Sequence, residues 1–159
     1  MNSADCAGWR WYSDARAIVA GLADIYARPP TMVAGVIAVC SQREEWRRNV
    51  RKAERALRGE GVPGMRIIRD RALRILAGEA PLDVLRGPKI RAFYRALMGN
   101  DNAVVIDTWM CRHYRHSEKP TLKQYKKLAQ RVRREAERRE IPPATWQAIL
   151  WCRIKAKGA

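Results

Sequence analysis

The sequence predicts an all-α fold: a compact helical bundle forming a single domain over residues 1–159. Two observations carry that expectation. Apolar residues recur at three- and four-residue spacing along most of the chain, and Pro, Gly, Ser, Thr and Asp stand where the resulting helices begin and end. The length, with 47% hydrophobic residues, suits one core.

The first helix is expected over residues 11–27, with Tyr12, Ala15, Ile18, Val19, Leu22, Ile25 and Tyr26 on or near one side. Arg28-Pro29-Pro30 stops it, and Thr31 offers an N-cap to the next helix, MVAGVIAVC. That helix is apolar all round and should be the buried centre, with Ser41 and Gln42 at its end. Residues 44–58 read as a charged helix turning Trp46, Val50, Ala53 and Leu57 inward. Gly59, Gly61, Pro63 and Gly64 then break the chain into a loop. A helix over 67–77 is closed by Gly78, and Pro81 opens a short one. Arg86-Gly87-Pro88 is a tight turn into a helix starting near Lys89, with Ile90, Phe93, Tyr94 and Leu97 at helical spacing and Gly99 closing it. After a turn at Gly99-Asn100-Asp101-Asn102 come an extended apolar run, Val104-Val105-Ile106, and Asp107 as the N-cap of another helix. Thr121 caps a helix whose apolar side is Leu122, Tyr125, Leu128, Ala129, Val132 and Ala136. The last helix, over 143–155, carries Trp146, Ile149, Leu150 and Trp151, which read as core closure rather than base stacking.

A net charge of +16, from 32 basic and 16 acidic residues, points to a polyanionic partner, because neutralising phosphates releases their counterions. The apolar helix faces look committed to a core, which favours nucleic acid over an anionic membrane surface. No apolar run approaches the roughly 20 residues of a membrane span. The opening MNSADCAGWR lacks the basic-then-apolar layout of a signal peptide, so a cytoplasmic protein is expected. Cys6, Cys40, Cys111 and Cys152 are scattered, with no C-x-x-C pair; no metal site, iron–sulfur cluster or other cofactor is expected, only reduced structural thiols.

The path around Gly99 has a geometric consequence. A helix from Lys89 to Met98 rises about 15 Å. The turn reverses the chain and the three extended residues recover roughly 10 Å. Lys89 and Asp107, eighteen positions apart, are thereby expected to share one cleft.

Gly87, Lys89, Ile106-Asp107-Thr108 and Arg112 stand in the pattern of a Gly two positions before a lysine, an apolar or aromatic helix, then V-D-T-x-x-x-R. In these residues the chain resembles the helix-hairpin-helix DNA glycosylases, the superfamily that includes endonuclease III. Val36-Ile37-Ala38-Val39-Cys40-Ser41-Gln42, with Asn49 seven positions after Gln42, extends the likeness. The whole layout, including its Trp-Gln-Ala-Ile-Leu-Trp ending, is more loosely similar to small glycosylase-like proteins of bacteriophages. The chain departs from the superfamily in having Leu85 for the first hairpin glycine, Trp109 where His is frequent, and a shorter link between Gln42 and Lys89.

The resemblance implies a helix-hairpin-helix over about 81–98, a catalytic-type loop and helix over about 99–116, and basic helices over 121–157. Lys89 would be a Schiff-base nucleophile toward sugar C1′, since a partly desolvated amine among cations sheds its proton readily. Asp107 would be the carboxylate that stabilises positive charge on the sugar as the glycosidic bond breaks. Gln42 would fill the gap left by an extruded nucleotide, with Asn49 nearby. Arg86 and Gly87 would offer amides to a phosphate, and Arg112 closes the motif. In the basic run beyond it, Lys123, Lys127 and Arg131 are candidate contacts to the DNA backbone. Each has a plainer alternative: a solvated lysine, a simple N-cap, a helix-end glutamine, a solvated charged face. The expected function is a monomeric DNA N-glycosylase acting on a flipped, damaged or modified nucleotide, with a possible lysine-dependent abasic-site lyase step. The alternatives are a non-catalytic DNA-binding module on the same scaffold, or a phage protein that binds a host factor.

Overall fold

The structure, a computed structural model, describes residues 3–42 and 44–158. Every regular element among them is a helix, so the all-α expectation holds. In chain order these are α1 (Ser3–Ile25), α2 (Pro30–Cys40), α3 (Trp46–Leu57), α4 (Arg66–Leu76), α5 (Pro81–Val84), α6 (Pro88–Leu97), α7 (Thr108–His113), α8 (Leu122–Glu137) and α9 (Pro143–Lys157). Among the described residues no helix is long and apolar enough to cross a membrane. The chain groups into two compact units, Arg16–Met98 and Met1–Ala15 with Gly99–Ala159.

In the unit Arg16–Met98, α2 is the central helix: every residue of Val33–Cys40 is buried, and α3, α4, α5 and α6 pack on it. Gly35 permits this, because a Cβ there would stand 2.9 Å from the ring of Pro81 at the start of α5. The cap of α2 is Pro29 rather than Thr31, since Pro30 takes the first helical position, where a fixed φ and a missing N–H are no handicap. Glu45 caps α3, its carboxylate accepting from the amides of Arg47 and Arg48. Ile90, Phe93, Tyr94 and Leu97 of α6 are all buried as their spacing predicts, and Arg16 Nε donates to Ala96 O at 2.9 Å. Ile25 corrects the expected apolar face: it is 71% exposed. At 3.6 residues per turn it lies about 120° from Val19, off the stripe that Val19, Leu22 and Ala23 bury.

In the other unit the core joins Val104, Ile106, Met110, Cys111, Tyr125, Leu128, Val132, Trp146, Ile149 and Leu150, with α9 packed on both α7 and α8. A capping box at Thr121 and Gln124 opens α8. Leu122, expected on its inner side, is 56% exposed: side chains lean toward a helix N-terminus, so one in the first turn overhangs the packed stripe. The start of α1 lies eight residues before its expected position. Those residues carry little apolar periodicity and are held by α9 instead. Asp5 pairs with Arg153, Tyr12 Oη donates to Gln147 Oε1 at 3.1 Å, and Gly8 presses on Ile149, where a Cβ would meet its Cα at 2.4 Å.

Candidate functional site

The extended run ahead of Asp107 is buried and held by one phenol. Tyr125 Oη donates to Val104 O at 2.9 Å and accepts from Ile106 N at 3.2 Å. Burial pushes that phenol up to about 12, against the opposing pull of the Ile106 amide. Asp107 follows as the N-cap of α7, as its sequence position predicts, with Oδ1 accepting from Met110 N at 2.9 Å. Its other oxygen accepts from Trp151 Nε1 at 2.8 Å. Half-buried, Asp107 has no salt bridge among the described residues: two neutral N–H groups aim it. Burial, then the charges of Asp107 and Glu118, push the Cys111 thiol up.

Sequence reasoning missed most of what surrounds this carboxylate. Trp109 and Trp151 are half-buried, and the Lys155 ammonium stands 5.4 Å from one ring centroid and 5.0 Å from the other. The Arg112 guanidinium lies 5.3 Å from the Trp109 ring, and Trp11 meets Trp151 edge-on at 6.3 Å. The i, i+4 spacing of Trp151 and Lys155 was legible as a same-face pair; the meeting of α7 with α9 was not.

In the unit Arg16–Met98, the hairpin joins α5 to α6. Gly87 adopts φ +86°, a conformation that L side chains rarely take, so glycine is required here for backbone reasons alone. Leu85, in place of a glycine, is buried. The turn is clamped by Arg91, a residue that no motif or spacing singles out: its Nη1 donates to Leu82 O and, at 3.2 Å, to Leu85 O. Arg86 is exposed and Lys89 half-buried near the start of α6, neither with an ion-pair partner among the described residues. Gln42 sits half-buried in the turn after α2. Asn49 is only 2% exposed, and among the described residues its Oδ1 has no hydrogen-bond partner. It shares the inner stripe of α3 with Ala53 and Ala56.

The expected backbone contacts divide in two. Lys123 and Lys127 are exposed on the outer face of α8, where with Leu122, Lys126 and Gln130 they line a shallow open depression without a carboxylate. Arg112 and Arg131 are engaged within the unit, Arg112 with Glu118 at 2.5 Å and Arg131 with Glu135 at 3.2 Å, the latter also over the Tyr114 ring at 4.5 Å. Glu135 additionally accepts from Tyr114 Oη and Trp146 Nε1. Burial raises its carboxyl, but these three donors outweigh burial and hold it below the usual range.

No curated protein and no solved structure matches the chain. A model described as "Family of unknown function (DUF7178)" matches residues 2–158. With a match running over nearly its whole length, the chain belongs to that family of unknown function, DUF7178.

Proposed function

We propose that the protein binds DNA and cleaves the N-glycosidic bond of an extruded nucleotide, with Asp107 facing the charge that develops on the sugar. The observation that carries this reading is Asp107 itself. In a chain of 32 basic and 16 acidic residues, this half-buried carboxylate accepts from two neutral N–H groups and has no ion-pair partner among the described residues. The bond between C1′ and the base nitrogen would break with its electron pair leaving on the base, and water would add at C1′, its proton passing to the departed base. The exposed lysines of α8 support a phosphate-binding surface. A second reading, a DNA-binding module without turnover, is favoured by one fact: both Asp107 oxygens already accept hydrogen bonds.

The test is incubation with duplexes carrying uracil, oxidised, alkylated, hypermodified or abasic sites, following base release, strand nicking and borohydride-trapped adducts. Asp107→Asn, which still caps α7, should lower base release by about 100-fold or more and keep duplex affinity. Lys89→Ala should abolish trapping if that lysine forms the Schiff base. Binding without release from any of these substrates would establish the non-catalytic module instead.

A further inference from the structure

We propose that Trp109 and Trp151 form a stacking platform for an unpaired nucleobase, on which the Lys155 ammonium rests until a nucleic-acid strand displaces it. The platform shares with the preceding reading only its nucleic-acid partner and needs no bond cleavage. Both indoles are partly exposed and border the same ammonium, at 5.4 and 5.0 Å. The rings are fixed: Trp151 by its bond to Asp107 and by its T-shaped contact with Trp11, Trp109 by Gly158, where a Cβ would lie 3.3 Å from its Cζ3. The Lys155 ammonium is exposed at the end of a flexible stem, whereas the Arg112 guanidinium over Trp109 is tied to Glu118. An exposed cation–π contact is weaker than a stacked base, so a base wins the rings and the released ammonium meets the phosphate that arrives with it. A cationic aromatic-cage ligand would suit the rings equally, but Lys155, Arg112 and the net charge of +16 repel it.

The experiment compares binding of the full chain to a labelled single-stranded oligodeoxyadenylate and to an abasic strand with the same number of phosphates. The base-bearing strand should bind about tenfold tighter or more. Trp109→Ala should erase that preference while leaving the abasic strand's affinity unchanged, and Trp109→Phe, which keeps a ring, should retain most of it. Should Trp109→Ala not fold, quenching of tryptophan emission by the deoxyadenylate strand, smaller in Trp109→Phe than in the parent, reads the same contact. Equal affinity for the two strands, or a preference intact in folded Trp109→Ala, overturns the platform alone. Absence of salt-sensitive binding to either strand overturns the nucleic-acid reading with it.

Discussion

Tyr125 shows how much one side chain can hold. Its hydroxyl satisfies a buried carbonyl and a buried amide of the run that leads to Asp107. Tyr125→Phe strands both, and should lower unfolding free energy by about 1–3 kcal/mol in urea titration. Alkali should act on the same residue. Its phenol is raised to about 12 and the Cys40 thiol to about 11, both chiefly by desolvation. The folded state thus holds both protons more tightly than the unfolded chain. Their stabilisation is complete below the unfolded values, near 10 and 9, and is lost as pH rises through the folded ones. Stability measured by thermal unfolding should therefore fall across about pH 9–12, and Tyr125→Phe should flatten the upper part of that window. At this scale the sequence was informative where chemistry is local. Asp107 could be read as an N-cap because the bond it makes spans three residues. Its bond to Trp151 spans 44, and nothing in the spacing announced it.

Among the elements, the hairpin of α5 and α6 is the most exacting. Gly87 has open space where a Cβ would go, so Gly87→Ala tests backbone strain without a clash and should destabilise by about 1–3 kcal/mol in denaturant titration. Arg91→Ala removes the clamp on the carbonyls of Leu82 and Leu85. Combined, the two should fall short of the sum of the separate effects, because both hold one turn. The turn was legible in Arg86-Gly87-Pro88, and so were the buried face of α6 and the all-apolar α2, since breakers and periodicity are properties of neighbouring residues. The first turns of α1 were not legible. They are held through a glycine and a salt bridge to α9, which leave no apolar stripe to read. The burial of Asn49 was legible too, from its helical phase with Ala53 and Ala56.

For the molecule as a whole, charge was the most legible property and its distribution the least. The composition fixes +16, yet Arg112 and Arg131 are spent on neighbouring carboxylates while Lys123, Lys126 and Lys127 face outward together. If those three meet phosphates, replacing them with Gln should reduce the slope of log affinity against log salt by about 2–3, in anisotropy titrations with duplex. The meeting of Gly8 with Ile149 has a bearing on how the chain comes off the ribosome. Residues 16–98 have every partner of their own unit once that stretch has emerged, whereas residues 3–15, translated before it, wait for α9, translated after it. Residues 3–15 must stay unclaimed while the intervening stretch is made, and their docking follows the emergence of α9.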